Sequence, residues 1–223
     1  MKFEQFHPWD LSPNEAIALQ KQLAGQVSRR NELGNILYVA GVDVGFKENI
    51  ATASVAILEY PSLALFESRT ASLPVSFPYI PGLLSFREIP VVLAALEKIE
   101  TRPDIIICDG QGIAHPRRFG IACHLGVITG IPTIGAGKTR LLGTHLEPGE
   151  EKGCLSPLID KSEVIGAVLR TRAHVKPIYV SIGHKVDLET AISCVLSCTT
   201  KYRLPETTRW AHKLASLSDK ASV

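Results

Sequence analysis

Stretches with a regular spacing of apolar residues follow one another along the chain, separated by polar or glycine-containing turns. Alternating or continuously apolar runs predict strands, whereas apolar positions that recur every three or four residues predict helices. A short polar turn at 47–49 joins the first two strands, as in a hairpin. The predicted strands are 35–46, 51–60, 66–75, 103–110, 131–135, 163–172 and 177–183, and the predicted helices are 11–30, 90–100, 119–130, 187–199 and 205–217.

The order of these elements predicts the class of the fold. Consecutive strands near the start favour adjacent hairpin strands, and the later alternation of strands with helices favours parallel strands. Ser12 and Pro13 supply an N-cap and a first helical residue for the first helix. The 223 residues are 45% hydrophobic, enough for one sizeable core, and they contain no internal repeat or linker. We therefore expect a single α/β domain over residues 1–223, with a mixed sheet flanked by helices.

Composition excludes several classes of protein. The formal net charge of +2 is too small for a general nucleic-acid binder, so a polyanion contact would depend on local basic clusters at 115–120 and 170–176. The start, MKFEQFHPWD, has no apolar signal core, and no apolar run approaches the roughly 18 residues of a membrane span. Five cysteines without a C-x-x-C pair favour reduced, mostly buried thiols. We expect a cytoplasmic protein that makes no membrane contact and acts as a monomer.

The segment PYIPG, residues 78–82, interrupts the pattern between a strand and a helix. Tyr79 and Ile80 lie between Pro78 and Pro81, which fix the backbone and remove two hydrogen-bond donors. A stiff projecting loop is therefore expected. Its two apolar side chains either pack beneath the loop as a small satellite core or serve a binding function.

Two aspartates interrupt apolar strands. In AGVDVGF, Val42 and Val44 point to one face and Asp43 to the other, where Gly41 and Gly45 would leave the floor open to a ligand. Burying an aspartate is costly unless it is paired or binds a metal, which favours a functional role. Asp109 ends DIIICDG, at the edge of an α/β sheet where ligands bind, and its alternative role is turn capping. Gly110 and Gly112 after it would let the backbone approach a substrate.

Glu88 is the third candidate carboxylate, and it has a competing structural explanation. The spacing of Ser85 and Glu88 matches a capping box, in which Glu88 would only start a helix. Pro90 would then lie inside that helix, so a regular helix is expected to begin near Pro90 and to leave Glu88 free. Asp43, Asp109 and Glu88 together provide the hard oxygen ligands that Mg²⁺ or Mn²⁺ prefers.

Basic residues follow the same predicted sheet edge. GIPTIGAGKTRL ends like a phosphate-binding loop, but Pro132 stands where the first glycine is required, so a P-loop ATPase is disfavoured. Lys138 could stabilise charge on a phosphate or could simply be a solvated lysine. His115, Arg117 and Arg118 follow the Asp109 loop and could hold phosphate.

Five sequence blocks, in order, resemble the signature blocks of endonuclease V, the deoxyinosine 3′-endonuclease family. They are VAGVDVGF, PYIPGLLSFRE, DGQGIAHPRRFGIA, PTIGAGKTRL and YRLPETTRWAH, and they span residues 39–212. The resemblance implies a ribonuclease-H-like fold and Mg²⁺-dependent phosphodiester hydrolysis, with Mn²⁺ as a possible substitute. It also implies a cut one nucleotide 3′ of the lesion that leaves 3′-hydroxyl and 5′-phosphate ends, as in DNA repair.

The resemblance also implies roles for individual residues. Asp43, Glu88 and Asp109 match the metal-binding positions, Lys138 the catalytic lysine, and Tyr79 the tip of a strand-separating wedge. His212 stands where many relatives have a histidine near the site and others an aspartate. The implied substrate-binding residues are Tyr79, Ile80, Pro81, Gly82, Leu84, Gly110, Gly112, His115 and Arg117.

The chain departs from the family pattern at two positions. Bacterial relatives often have histidine in place of Gln111 and alanine in place of Gly137, which affects the substrate pocket and the loop around Lys138. DNA containing deoxyinosine is the expected partner, and inosine in RNA is an alternative, because a wedge and a base pocket would serve both. Another ribonuclease-H-like nuclease and a non-catalytic inosine-binding protein are the remaining alternatives, and the complete acidic set argues against the latter.

Overall fold

The computed structural model describes the backbone of residues 1–220 and the side chains of residues 1–216. Eight strands form one sheet in the order β3-β2-β1-β4-β5-β8-β7-β6. The strands are β1 (Tyr38–Lys47), β2 (Ile50–Glu59), β3 (Leu65–Pro74), β4 (Ile105–Cys108), β5 (Thr133–Gly137), β6 (Leu155–Asp160), β7 (Glu163–Leu169) and β8 (Ile178–His184). The helices are α1 (Pro13–Leu23), α2 (Leu84–Leu96), α3 (Ile121–Thr129), α4 (Leu188–Ser197) and α5 (Glu206–Lys220).

The sheet is mixed, as the sequence predicts. β1, β2 and β3 pair antiparallel, whereas β4 pairs parallel with both β1 and β5. This order of three antiparallel and two parallel strands is the ribonuclease-H-like arrangement. β8, β7 and β6 extend the sheet with antiparallel pairs beyond β5. The parallel strands deliver the residues that follow β4 and β5 to the same edge of the sheet.

Helices cover both faces of the sheet. Alternate residues of the central strands enter different apolar clusters: Val39 and Ile105 join one cluster, and Ala40 and Ile106 join the other. Side chains from α3 and α4 complete the first cluster, and side chains from α2 and α3 complete the second. Among residues 1–220, no helix combines the length and the apolarity needed to cross a membrane.

Strand β6 is absent from the sequence prediction. It lies at the edge of the sheet with β7 as its neighbouring strand, so Pro157 can occupy it without breaking a second ladder. Its buried positions, Ser156 and Leu158, alternate with more exposed ones, which gives a short and weak apolar pattern. The predicted end of α1 is also wrong, because α1 gives way to a 3₁₀ turn at Ala24–Gln26.

Helix α2 differs most from the prediction. It begins at Leu84, and Pro90 lies inside it, so the prediction of a start near Pro90 is wrong. No capping box forms either, because Ser85 lies within the helix. Burial of the apolar face of α2, which includes Phe86 and Ile89, outweighs the one backbone bond that Pro90 removes. Glu88 therefore projects from a packed helix.

A chain of buried hydrogen bonds joins the N-terminal segment to the start of α2. His7 Nδ1 lies 2.7 Å from the carbonyl oxygen of Pro8, which can only accept, so His7 Nδ1 carries the proton. His7 Nε2 therefore accepts a hydrogen bond from His124 Nε2 at 2.8 Å. His124 Nδ1 in turn accepts from the Ser85 hydroxyl at 2.9 Å. Both rings are neutral in this chain, and burial lowers the pKa of each.

Acidification is expected to destabilise the folded chain below about pH 6.5. Burial keeps His124 neutral and lowers the pKa of His115 to about 4, whereas unfolded histidines titrate near about pH 6.5. The unfolded chain therefore binds more protons as the pH falls. The free energy of unfolding should drop by about 1.4 kcal/mol per pH unit for each imidazole that stays neutral. Denaturant unfolding between about pH 7.5 and about pH 5 measures this slope.

Two variants control this measurement. His174→Gln removes an exposed imidazole and controls for the substitution itself. His115→Gln removes a buried one while keeping a donor for its backbone partner, and it should reduce the slope. Glu88, whose pKa burial raises to about 8, binds a proton in the folded chain over the same range and opposes this slope. An equal slope in His115→Gln and in the parent would therefore contradict the assignment of a neutral buried ring at His115.

Candidate active site

Three carboxylates from three different elements line one cavity. Asp43 lies within β1, Glu88 within α2, and Asp109 directly after β4. Val42 pairs with Cys108 across the parallel strands, so the two aspartates follow at adjoining positions. The cavity has a volume of about 210 Å³, and the rest of its wall is formed by Val42, Val44, Val92, Cys108 and Ile121. The fold thus brings together the three acidic residues that the sequence singles out.

Burial and neighbouring carboxylates raise the pKa values of Glu88 and Asp43. Burial, and then the nearby charges of Asp43 and Asp109, raise the pKa of Glu88 to about 8. Burial also raises the pKa of Asp43, and a hydrogen bond from His212 opposes this effect. Crowded carboxylates of this kind are stabilised in their charged form by a nearby cation. Their electrostatics therefore favour cation binding.

The donor set fits a hard divalent ion. Carboxylate oxygens are the ligands that Mg²⁺ and Mn²⁺ prefer, and Asp43, Glu88 and Asp109 supply them around one cavity. Within residues 1–220, no group of three His, Cys, Asp or Glu side chains is arranged to hold a metal ion as it stands. The three carboxylates consequently surround the cavity and would have to converge on a bound ion.

Lys138 provides a positive charge beside the carboxylates. It directly follows β5, and its ammonium forms an ion pair with the Asp109 carboxylate. The side chain of Lys138 remains 43% exposed, so the ammonium is accessible from outside the protein. Arg203 Nη2 donates to the backbone oxygen of Lys138 at 2.6 Å. Lys138 is therefore not a simple solvated lysine, because its charge and its backbone both have partners.

His212 reaches the acidic cavity from α5. Its Nδ1 lies 3.0 Å from Asp43 Oδ2. The approach of α5 depends on Gly41, since a Cβ there would overlap the backbone of Thr207 in α5. The prediction that Gly41 leaves the floor open to a ligand is therefore wrong, because α5 occupies that space. Gly41 instead allows α5 to pack closely against β1.

A second cavity, of about 350 Å³, adjoins the acidic one. Asp109 belongs to the wall of both cavities, and Lys138 lies beside it. One side of the second cavity is formed by the PYIPG segment and the start of α2, and the other by the loops after β4 and β5. Its lining residues include Tyr79, Ile80, Pro81, Gly82, Leu84, Ser85, Asp109, Gly110, Gln111, His115, Gly137, Lys138, Thr139 and Arg140.

The PYIPG loop, residues 78–82, contains one packed and one projecting apolar side chain. Ile80 packs against a satellite cluster that includes Phe77, Leu83 and Phe86. Tyr79 is 70% exposed at the rim of the second cavity. The satellite-core explanation therefore holds for Ile80, whereas Tyr79 lacks a comparable packing role.

Three side chains hold the PYIPG loop through one backbone carbonyl. Gly82 has a φ of +81°, a left-handed conformation that favours glycine. Its oxygen accepts from Gln20 Nε2 at 3.0 Å, from His115 Nε2 at 3.0 Å and from Arg117 Nη2 at 2.6 Å. Arg117 Nε also donates to Gln20 Oε1 at 2.5 Å. Burial and the charge of Arg117 lower the pKa of His115 to about 4, so His115 is a neutral donor at pH 7.

These contacts change the expected roles of the basic residues. His115 and Arg117 support the PYIPG loop: His115 does so as a neutral ring, and two nitrogens of the Arg117 guanidinium are engaged with Gln20 and Gly82. Arg118 forms ion pairs with Asp160 and Glu163, each at 2.7 Å, and so braces the β6–β7 turn. The prediction that Arg118 holds phosphate is not supported by this geometry.

Gly112 also has a packing role in place of the predicted substrate contact. Its N–H donates to Ser181 Oγ at 2.8 Å, and its carbonyl accepts from Gly120 N at 3.0 Å. A Cβ at Gly112 would overlap the Ile182 carbonyl of β8. Both backbone groups of Gly112 are therefore engaged within the protein in this structure, whereas Gly110 lines the second cavity.

Gln20 is a site residue that the sequence reading misses. It supports the PYIPG loop from α1 and lines the second cavity. Its signal in the sequence is its position: Ala16, Gln20 and Leu23 are the buried residues of α1 and share one face. A polar residue on the buried face of an amphipathic helix needs a hydrogen-bond partner, which marks Gln20 for attention.

The chain is similar to known proteins over nearly its whole length. The family described as Endonuclease V matches residues 21–213. Endonuclease V of Trichormus variabilis is 59% identical over 219 residues, which cover 97% of this chain and 99% of that protein. The crystal structure of endonuclease V from Streptomyces avermitilis has a TM-score of 0.92 at 44% identity and covers 96% of both chains.

A further structural relative contains nucleic acid. Endonuclease V of Ciona intestinalis, in complex with a 24mer DNA containing an inosine followed by a ribo-adenosine, has a TM-score of 0.83 at 30% identity. The match covers 94% of this chain and 98% of that one.

The chain has a mixed α/β sheet, and it matches endonucleases in sequence and fold over nearly its whole length. It is therefore an α/β nuclease. The chain belongs to the endonuclease V family.

Proposed function

We propose that the chain is a Mg²⁺-dependent endonuclease that recognises deoxyinosine in DNA and hydrolyses the phosphodiester one nucleotide 3′ of the lesion in DNA repair. The observation that carries the proposal is that Asp109 lies in the wall of both the acidic cavity and the neighbouring larger cavity. A base held in the larger cavity would place a nearby backbone phosphate beside the carboxylates. The products would be a 3′-hydroxyl and a 5′-phosphate.

The larger cavity suits an extruded purine. At about 350 Å³, it lies within the size range of small-molecule sites. α2 begins at this cavity, and its N-cap residue Leu83 supplies no side-chain cap, so N–H groups of the first turn can donate to a ligand. The carbonyl oxygen of hypoxanthine would accept from such donors, whereas the amino group of adenine would not. The backbone near Gly82, Leu84 and Gly110 would form this contact.

The nucleic acid of the Ciona relative supports the choice of substrate. That protein binds an inosine-containing DNA in which a ribo-adenosine follows the lesion. For this chain we propose the same lesion, with RNA inosine as the second candidate because that relative accommodates a ribonucleotide beside it. A further cavity of about 500 Å³ beyond Lys138, lined in part by Arg209, Trp210, His212 and Lys213, would accommodate the strand past the cut.

The acidic residues, Lys138 and His212 would each have a separate role in the hydrolysis. Asp43, Glu88 and Asp109 would hold a divalent cation, which neutralises phosphate charge and activates water for attack. Glu88 would release its proton on binding, because the cation would offset the burial and the neighbouring negative charges that raise its pKa. His212 would orient Asp43 through their hydrogen bond. Lys138 would stabilise the negative charge that develops on the scissile phosphate.

Cleavage of matched oligonucleotides tests this function directly. Labelled DNA and RNA, each carrying one inosine or none, are incubated with the protein in Mg²⁺, Mn²⁺ or EDTA. The proposal predicts a single cut one nucleotide 3′ of inosine, with no cut in EDTA or in undamaged strands. Preferential cleavage of inosine RNA would support the endoribonuclease alternative. Equal cleavage of undamaged junctions or hybrids would indicate another ribonuclease-H-like nuclease, and binding without cleavage would indicate an inosine-binding protein.

Tyr79→Ala is expected to slow cleavage of duplex DNA more than cleavage of single strands. In a duplex the exposed ring would stack in the gap left by the extruded base, an interaction that contributes about 1–3 kcal/mol per base. A single strand has little stacking to replace. We expect roughly a tenfold loss of single-turnover rate on duplex substrate, with the cut position and the Mg²⁺ dependence unchanged.

Thermal melts complete the Tyr79 experiment. Because Tyr79 is 70% exposed, its removal should leave the melting temperature unchanged. Leu146→Ala, which truncates another exposed apolar side chain, controls for a general surface effect. An equal loss on duplex and single strands, together with a lower melting temperature, would show that Tyr79 packs the loop instead.

A further inference from the structure

The side chain of Gln111 fills the space next to the Cα atom of Gly137, beside Lys138. Gln111 follows the Asp109 loop and is 9% exposed, and Gly137 is the last residue of β5. A Cβ at Gly137 would overlap the side-chain amide nitrogen of Gln111. The amide of Gln111 thus fills the volume that a larger residue at 137 would take.

A hydrogen bond fixes the orientation of the Gln111 amide. Gln111 Nε2 donates to the backbone oxygen of Thr139 at 3.0 Å. A carbonyl oxygen can only accept, so the amide cannot be reversed without losing this bond. Gln111 Oε1 then remains buried and has no hydrogen-bond partner in the described part of the chain. Stability alone does not favour this arrangement, since an unpaired buried acceptor is destabilising and an apolar side chain would avoid it.

The hydrogen bond between Gln111 and Thr139 lies just beyond the C-terminal end of β5. Gly137 pairs with Tyr179 of β8 and is the last residue of β5 that pairs with β8. Lys138 therefore lies beyond the paired part of the sheet. Arg203 holds the backbone oxygen of Lys138, and Gln111 holds that of Thr139. The two peptide units that follow Lys138 are therefore held by side chains from outside β5.

We propose that Gln111 is a positioning residue for Lys138: its amide occupies the space left by Gly137 and holds the second peptide unit after Lys138, which aims the ammonium at the Asp109 edge of the cavity. The catalytic consequence rests on the proposed function. The steric pairing of Gln111 with Gly137 does not depend on it.

Single-turnover cleavage tests the positioning of Lys138. Gln111→Met, which keeps the length of the side chain but cannot donate to Thr139, should slow cleavage about tenfold, because small misplacements of a catalytic group cost rate. Binding of inosine DNA should change less than about twofold, since transition-state alignment alone is affected. Gln22→Ala, on the exposed face of α1, is the control.

A second genetic background separates positioning from general structure. If Gln111 acts through Lys138, then Gln111→Met should cost less than about twofold when Lys138 is already replaced by alanine. A purely structural role would multiply the two losses. A full tenfold loss in the Lys138→Ala background, or no loss in the parent, would overturn the positioning role.

Thermal melts test the steric pairing without any use of activity. Gly137→Ala should lower the melting temperature by about 3 °C or more while Gln111 is present, because the new methyl group displaces the amide. In the Gln111→Ala background the same change should have an effect of less than about 1 °C. Gly34→Ala, where nothing lies within 4 Å of the added Cβ, controls for the glycine replacement itself.

The two readouts distinguish failure of this inference from failure of the proposed function. An equal effect of Gly137→Ala in both backgrounds would overturn the pairing, whatever the protein cleaves. Failure of the parent protein to cleave any inosine substrate would reject the proposed function and, with it, the catalytic role of Gln111. The melting temperatures of Gly137→Ala with and without Gln111 would still show whether the two residues share one space.

Discussion

Asp109→Ala is expected to reduce the single-turnover rate of inosine cleavage by about a thousandfold or more, because it removes a proposed cation ligand and the partner of Lys138 together. Asp109 lines both the acidic cavity and the larger cavity beside it. The fold should survive the change. Asp109 is one of two neighbouring charges that raise the pKa of Glu88, so its removal relieves repulsion within the site. Lys138 is 43% exposed and can be solvated without its partner.

Cleavage rates and melting temperatures are both measured for Asp109→Ala and for the parent protein. Asp10→Ala, at an exposed position in the N-terminal segment, is the matched control and should change neither. Added Mg²⁺ should raise the melting temperature of the parent protein, and this shift should shrink in Asp109→Ala because a ligand is missing. Cleavage by Asp109→Ala at a rate close to that of the parent would overturn the assignment of the site.

Removal of the metal should reproduce the effect of the substitution. EDTA should abolish cleavage by the parent protein, and added Mg²⁺ or Mn²⁺ should restore it. Ca²⁺ should permit binding of inosine DNA with little turnover, because it accepts a looser geometry than Mg²⁺. Unchanged cleavage in EDTA would contradict a divalent-cation mechanism.

The two aspartates can be predicted from the sequence because each interrupts an apolar strand. Parallel neighbouring strands then bring them to one edge, and the structure places both on one cavity. The surroundings of Glu88 cannot be predicted in the same way. A local rule places the helix start after Pro90, whereas tertiary burial of α2 extends the helix back to Leu84. Packing over the whole helix outweighs one lost backbone bond, and no local pattern contains that comparison.

The glycines show a second limit of sequence reasoning. A glycine indicates that something approaches the backbone, but the sequence does not identify what approaches. Gly41 makes room for Thr207 of α5, and Gly112 makes room for Ile182 of β8. Both contacts join segments far apart in the chain, so neither contact can be predicted from the neighbouring residues in the sequence. Gly82 is different, because its left-handed backbone follows from a tight turn between prolines and helix α2.

The most informative polar residues also depend on distant contacts. Gln111 and Gly137 lie in different segments, and nothing in the sequence links them. In the structure the side chain of Gln111 fills the space that Gly137 leaves, so the two residues form a single packing solution. The sequence therefore predicts which chemical groups are present at the site, whereas the three-dimensional structure shows which groups hold them in place.

Lys138→Ala is expected to lower the single-turnover rate about a hundredfold while weakening DNA binding much less, as for the loss of one electrostatic stabiliser of the transition state. The ammonium lies on the Asp109 carboxylate at the junction of the two cavities, where the scissile phosphate is proposed to lie. In the free protein it also offsets the charge of Asp109. A lysine that served only as this counter-ion would compete with the metal, and its removal would leave the rate at saturating Mg²⁺ unchanged.

Rates measured across a Mg²⁺ titration decide between these roles for Lys138. Catalytic stabilisation predicts that the maximal rate stays low at every Mg²⁺ concentration, even where the half-saturating concentration falls because a competing cation has gone. Lys47→Ala, at an exposed position at the end of β1, is the control for a lost surface charge. Recovery of the parent rate at high Mg²⁺ would identify Lys138 as a counter-ion. Equal losses in rate and in DNA affinity would make it a plain phosphate anchor, because an interaction that binds ground state and transition state alike cannot accelerate the chemical step.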